Sequence, residues 1–371
     1  MSKLRRISID NIWKVLLILV LLVYSLINAS QVLVPIVFSL FLAIIISPIV
    51  SFFEKKNINT SLSIIISLLI IIIVLGGGIY YVSFQAKNLI LDLPDLAEKF
   101  NKTIDNIAEK ISSINGLSAQ EPIELIKQNS DKIMSSGSKV ITNALSLTGN
   151  FLTFITLVPI YVFFMLLYRK NFKVFLAGLD DEDDDNYVSM AQEANTMVHS
   201  YIIGLSIVIT IIAILNTIGL FALGLKYALF MGVLSAVLTV IPYIGIFIGG
   251  LLPFIVALIT KDSLFYPLAV VGIMGLVQFL EGNFITPNII GSQVNVNPLA
   301  AIIALIIGAN IWGIVGMILA IPMTGILKII FSHYERLRPY AILLQSNDEQ
   351  NKGSEEHVGV FQRLKKFFKK S

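Results

Sequence analysis

The chain has no cysteine, only three histidines and few charged residues. Lacking cysteine, it can form no disulfide, thiolate metal site or thiol nucleophile. His199, His333 and His357 stand far apart, and no nucleophile–base pair or metal-ligand cluster accompanies them, so an enzyme is the least supported class and no cofactor is expected. A phosphate-binding glycine motif is also missing, so ATP drive would need a separate subunit. The net charge of +3 is small and collects at the flanks of apolar runs, which argues against nucleic acid as a partner. Asp, Glu, Lys and Arg make up 14% of the 371 residues, against about a quarter in soluble domains.

What fills the chain instead is hydrocarbon: 56% of residues are hydrophobic and the mean hydropathy is +0.83. Apolar runs long enough to cross a bilayer recur, without the short alternating segments of a β-barrel. The fold class is therefore an all-α polytopic membrane protein whose first partner is the lipid bilayer. Runs at 12–29, 32–50 and 62–84 predict three N-terminal transmembrane helices (1–84). The first follows a basic start, lacks a small-x-small cleavage site and leads straight into the second, so it reads as a retained anchor. The third carries Gly76, Gly77 and Gly78, which permit a kink or close helix packing.

Residues 85–148 turn polar and predict an extracytoplasmic helical insertion, one helix opening at Pro94 and a second over 122–134. It reads equally as a partner-binding module and as a solvated spacer. Residues 149–200 hold a fourth transmembrane helix (151–168), then Arg169, Lys170 and an acidic run from Asp180 to Asp185. That run lacks the spacing of a calcium loop and reads as solvated.

Residues 201–331 form the expected transport core. Single helices at 201–225 and 265–288 alternate with apolar blocks at 227–260 and 299–331, interrupted at 241–250 and 308–313. Each block is too long for one crossing and too short for two; split at its break, each arm has about 16 residues, or roughly 24 Å of helix. Two re-entrant hairpins fit this arithmetic, bringing the total to about eight membrane segments. Basic residues at Lys3, Arg5, Arg6, Lys55, Lys56, Arg169, Lys170, Arg336 and Arg338 place both termini in the cytoplasm. The two helix-plus-hairpin units then have opposite orientations, the plan of an inverted repeat with a substrate site between the halves. The tail (332–371) ends in a basic amphipathic stretch, 359–370, suited to an anionic leaflet or to disorder.

Between Asp262 and Glu335 the only charged side chains are Glu281 and Lys328. A carboxylate inside an apolar run must be solvated, paired or functional. Gln278, three residues earlier, shares its helical face. Glu281 reads either as a group that takes up and releases a proton or Na⁺, or as a structural cap. Asn283 lies beside it at the helix end. Pro242, Tyr243 and Gly245 mark the first hairpin tip, where freed backbone groups coordinate a solute or the chain simply kinks. Asn310 marks the second tip, and Asn216 interrupts the 201–225 helix; each reads as a substrate contact or an interhelical hydrogen bond. Trp312 reads as a tip plug or as packing.

These pieces resemble the autoinducer-2 exporter (AI-2E) family of PerM-like permeases. The resemblance covers nearly the whole chain. It is carried by Tyr201 and Gly204, the 224–229 turn, Ile241-Pro242-Tyr243-Ile244-Gly245, Leu280-Glu281-Gly282-Asn283, Thr286-Pro287, Gly291, Asn297-Pro298, and Gly316 to Pro322. Ile203, Leu205 and Ile246 depart from the family pattern. The resemblance implies a bacterial inner-membrane carrier and a ring-like homo-oligomer. Three functions stand open: gradient-driven export of a small polar, autoinducer-2-like solute; Na⁺(Li⁺)/H⁺ antiport, with a monovalent cation and proton as cargo; and a non-transporting scaffold or receptor.

Overall fold

Helix α3, Thr60–Asn115, does not stop where the hydrophobicity does. Its first 30 residues, Thr60–Leu89, are apolar enough to span a bilayer, and the helix then continues through Pro94, where the sequence predicts a new start. Hydropathy marks where a helix leaves hydrocarbon; its hydrogen-bond ladder need not end there. Proline removes only one bond of that ladder. The glycine triplet lies on this first part, and a methyl group built on Gly76, Gly77 or Gly78 meets nothing within 4 Å. Close packing among the described residues is therefore not its role, and the helix passes through it unbroken.

The computed structural model describes residues 9–115, 149–179, 187–241, 244–261, 263–290 and 294–346. Before α3 come α1 (Ile9–Asn28) and α2 (Ser30–Glu54). After it follow α4 (Gly149–Leu167), α5 (Arg169–Ala177), α6 (Tyr187–Ala222), α7 (Ala228–Leu238), α8 (Ile244–Thr260) and α9 (Phe265–Leu280). A π-helical turn (Glu281–Ile285) leads into α10 (Thr286–Ile289), and α11 (Pro298–His333) and α12 (Arg338–Leu344) complete the chain. Among the described residues there is no strand beyond one isolated bridge, Val296 with Gln345. Five stretches have the length and composition to cross a membrane: Ser30–Glu54, Thr60–Leu89, Tyr187–Ala222, Phe265–Ile289 and Pro298–His333. Four shorter apolar helices accompany them. The expected 122–134 helix, the acidic run 180–185, Pro242, Tyr243 and the tail beyond Ser346 lie outside the described residues.

The chain divides into two units. The first comprises α1, α2, the start of α3, α4, α5, α6 up to Tyr201, and the segment from residue 293 onward. Here α11 is two helices in succession: Trp312 leaves helical geometry and Gly313 takes φ +60°, ψ −137°. A methyl group on Gly308 would lie 2.4 Å from the Gly316 carbonyl oxygen. In a continuous helix those residues would be about 12 Å apart, so the chain folds back at Gly313. Trp312 Nε1 donates to the Leu26 carbonyl of α1 at 3.0 Å, which anchors the bend. At its open end Asn297 caps the first arm, its side-chain oxygen accepting from Ala300 N at 2.8 Å, while its amide donates to the Leu343 carbonyl of α12. Glu54, ending α2, pairs with Arg169, opening α5.

The second unit comprises α3 from Ile65, α6 from Ile202, α7, α8, α9, the π turn and α10. Its core gathers Leu220, Phe230, Met231, Val256, Ala257 and Val270, with Ala86 and Leu89 from α3. Lipid gives helices little hydrophobic reason to associate, so close approach across small residues matters more. Glycines supply it throughout. A methyl group on Gly219 would strike Ile273 of α9, one on Gly232 would strike Thr217 of α6, and one on Gly249 would crowd Ser235 of α7. At Gly245 it would sit 1.6 Å from the Leu238 carbonyl oxygen. The 245–250 glycines therefore do not form the break predicted for 241–250. Helix α8 already runs from Ile244, the bend falls at the start of that stretch, and Gly245 and Gly249 form the seam that closes the α7–α8 hairpin, while Gly250 faces Met274 of α9. The arms are unequal, 11 and 17 residues.

Outside the apolar stretch, Asp92 of α3 holds the turn that opens this hairpin. Tyr227 adopts φ +67° there. Its hydroxyl donates to Asp92 at 2.7 Å and Lys226 Nζ donates to the same oxygen at 2.5 Å. Lys226 titrates above its ordinary 10.5, chiefly because of its hydrogen bond to Asp92. Tyr227 titrates above its ordinary 10.0, first because of burial and then because of Asp92.

Candidate functional site

Helix α6 contributes Asn216 to a cavity in the second unit, and α7 contributes Ser235 and Thr239. Helix α8 adds Gly245 and Gly249, and the C-terminal end of α9 adds Gln278 and Glu281. Ile212, Phe254, Met274 and Val277 supply apolar wall, and the cavity volume is about 490 Å³.

Glu281 sits at the α-to-π transition. A π turn places residues five apart on one face, and here it brings the Thr286 hydroxyl to Glu281 Oε1 at 2.5 Å. The Thr286 backbone N–H bonds the Glu281 carbonyl with the same period. On the other side, one α-turn back, Gln278 Nε2 donates to Glu281 Oε2 at 2.6 Å. Both carboxylate oxygens are thus oriented by neighbours and retain lone pairs toward the cavity. Single π turns inside α-helices gather at functional sites.

Asn216 is 3% exposed, and its side-chain oxygen, Oδ1, is buried without a hydrogen-bond partner. The next residue, Thr217, has an equally unpartnered hydroxyl, pressed against Gly232. Ser235, also 3% exposed, donates to the Gly249 carbonyl at 2.6 Å. Thr239 donates to the Ala236 carbonyl at 2.6 Å. Both hydroxyls keep acceptor capacity. The polar part of the lining is one carboxylate, two hydroxyls and two carboxamides, with no Lys, Arg or His.

Four sequence candidates, Glu281, Gln278, Asn216 and Gly245, meet at this cavity. Two do not. Asn283 is exposed and donates to the Phe279 carbonyl of its own helix at 2.9 Å. Asn310 belongs to the first unit, where it is exposed and donates to the Ile306 carbonyl at 2.7 Å. Pro242 and Tyr243 are outside the described residues. Sequence reasoning missed Ser235, Thr239 and Thr286. The spacing of Ser235 and Thr239, four apart in an otherwise apolar helix, is a signal that one of its faces is polar.

The remaining polar residues around Glu281 are largely structural. Asn288 donates to the Phe284 carbonyl at 2.7 Å. Asn295, at φ +48°, has a carbonyl that accepts Lys328 Nζ at 3.2 Å and Ser346 N at 3.2 Å. Lys328, the one base of this region, is thereby held against Asn295 in the first unit.

Among the described residues, five helices long and apolar enough to cross a bilayer define a multi-pass membrane protein. The profile of the AI-2E family transporters matches residues 16–336, and the chain belongs to that family. Similar proteins include YrrI of Bacillus subtilis, provisionally named a transport protein, at 26% identity over 83% of this chain and 88% of its own length. YueF of the same organism, named in the same provisional way, is 28% identical over 83% and 85% of the two chains. The AI-2 transport protein TqsA of Escherichia coli is 23% identical over 87% and 92%.

Proposed function

We propose that the chain is a gradient-driven secondary carrier that exports a small polar solute, autoinducer-2-like in chemistry, through the Glu281 cavity. The observation that carries this reading is the cavity that gathers Asn216, Gln278 and Glu281, where Asn216 Oδ1 is buried without a partner. A buried acceptor without a partner is a standing cost of about 1–3 kcal/mol. A solute bearing hydroxyl or amine donors offsets it on binding. Glu281 then serves as the charged group whose loading changes as access alternates, and the α7–α8 and α11 hairpins are re-entrant elements of an inverted repeat. In this reading the protein lies in the bacterial inner membrane with both termini cytoplasmic, and it works as a homo-oligomer.

The carboxylate and hydroxyl oxygens in the lining also favour a second reading, Na⁺(Li⁺)/H⁺ antiport, in which a monovalent cation takes the solute's place. Flux in proteoliposomes separates the two. Efflux of a labelled small polyol that persists without Na⁺ and disappears in Glu281→Gln supports the exporter. Na⁺-dependent proton movement lost in the same variant supports the antiporter. Silence in both assays, with a protein partner captured through residues 85–148, would leave the scaffold reading instead.

A further inference from the structure

A second cavity, of about 720 Å³, lies in the first unit, and its chemistry is the opposite of the first. Its rim carries three cations, Arg169, Lys170 and Lys173, all from α5 or its first residue. Its interior is apolar, with Leu40 and Ile44 from α2 and Leu166 from α4. Gln192 and Asn195 of α6 add neutral hydrogen-bonding groups.

The rim is not electrically balanced. Arg169 and Lys173 stand four apart on one helix and repel each other. Arg169 pairs with Glu54 through Nη2, while its Nη1 is buried with no partner. Among the described residues neither Lys170 nor Lys173 meets a carboxylate within ion-pair distance. The other acid of the region, Glu193, is exposed and lies 3.9 Å from His333. The surroundings also fix the depth of the rim. Helix α4 is an apolar helix ending at Leu167. Helix α5 follows at once with exposed Phe172 and Phe175 among its lysines, the composition of a helix lying at the membrane–water boundary.

We infer that this cavity binds a phosphate-bearing anionic amphiphile, its headgroup on Arg169, Lys170 and Lys173 and its acyl chain against Leu40, Ile44 and Leu166. The headgroup supplies the counter-charge that Lys170 and Lys173 lack among the described residues. The chain supplies apolar contact that a free anion cannot. Basic pockets between membrane helices select lipid headgroups on this basis. The acidic run 180–185, which follows α5 in the sequence, has charge for the rim but nothing apolar for the interior.

The test uses the full-length protein in phosphatidylcholine vesicles with a trace of spin-labelled phosphatidylglycerol or spin-labelled phosphatidylcholine. The fraction of immobilised label gives the preference for the anionic lipid. Wild type should prefer phosphatidylglycerol, and Lys170→Gln and Lys173→Gln should each reduce the preference about fivefold. Lys173→Arg should retain it, and Lys261→Gln should leave it unchanged. Both lysines are exposed, so the variants should fold, which circular dichroism verifies. Inorganic phosphate, matched in ionic strength with chloride, should not displace the lipid. A preference that survives both Gln variants would overturn the assignment. So would its abolition by phosphate, which would put a free anion on the rim.

Discussion

Asn216→Leu separates a functional amide from a structural one, because the two roles predict opposite signs. Asn216 is 3% exposed and its Oδ1 has no partner. Keeping an unsatisfied acceptor in a dry interior costs about 1–3 kcal/mol, and leucine of similar length removes that cost. Leucine has the same number of side-chain heavy atoms, and the cavity beside it, about 490 Å³, takes its slightly larger methyl groups without overpacking. The variant should therefore be more stable than wild type by about 1–2 kcal/mol, visible as a rise of a few degrees in the melting temperature of the detergent-purified protein. The same substitution removes the acceptor that the solute needs, so flux in proteoliposomes should collapse. Gain of stability with loss of transport is the signature of a binding group. If Asn216→Leu melts lower than wild type, the amide is a structural hydrogen-bonding group between helices. If flux persists at wild-type level, the solute does not use this acceptor.

Glu281→Gln keeps the shape and the bond from Thr286 but removes the charge and the bond from Gln278; transport should be lost while stability falls by no more than about 3 kcal/mol, read as a shift in melting temperature. Gly245→Ala places a methyl group 1.6 Å from the Leu238 backbone oxygen, which no side-chain rotation relieves. The α7–α8 hairpin should open at a cost of at least about 3 kcal/mol, seen as loss of monodisperse protein on size-exclusion chromatography. The Asp92 cluster predicts a pH dependence. Both Lys226 and Tyr227 titrate above their ordinary values, so each favours the folded state in its protonated form. That contribution is complete below about pH 10 and fades as pH climbs through the raised values. Asp92→Asn should remove the Lys226 part of this alkaline step in a melting-temperature profile and leave the part of Tyr227 that comes from burial, and an unchanged step would show that the cluster does not hold the turn.

How legible the fold was depends on what each residue was asked to report. Long apolar runs in Ser30–Glu54 and Phe265–Ile289 announce membrane helices because hydrocarbon demands internally satisfied backbones. The end of α3 was misread because a fall in hydropathy looks the same whether a helix stops or merely enters water. Glycine carries a similar ambiguity. Gly313 breaks α11 where the sequence indicates, through a positive φ, whereas Gly245 and Gly249 are helical and serve contact. Nothing local distinguishes the two uses, since the deciding atoms, Leu238 O and Ser235 Cα, belong to another helix. In the site, Glu281 and Gln278 stood out as polar groups three apart in an apolar segment. The π turn did not, because it is visible only once Thr286 is seen bonding Glu281 with a period of five.

The charge of the Glu281 cavity narrows what the carrier can hold. Its lining has one carboxylate and no cationic side chain. An anionic solute brought to about 4 Å from that carboxylate would meet roughly 4 kcal/mol of repulsion at an effective dielectric of 20, close to a thousandfold loss of affinity. A neutral solute rich in hydroxyl donors meets no such penalty, since Asn216, Ser235, Thr239 and Glu281 all present acceptors. A cation is attracted by the same charge that repels the anion. Flux assays should therefore begin with neutral polyols and monovalent cations and should find carboxylates and phosphate esters excluded. Removing the acid should relax that exclusion: Glu281→Gln should bind an anionic analogue of the preferred solute more tightly than wild type does, as measured by equilibrium binding in detergent. If wild type transports organic anions efficiently, the cavity described here is not where the solute binds.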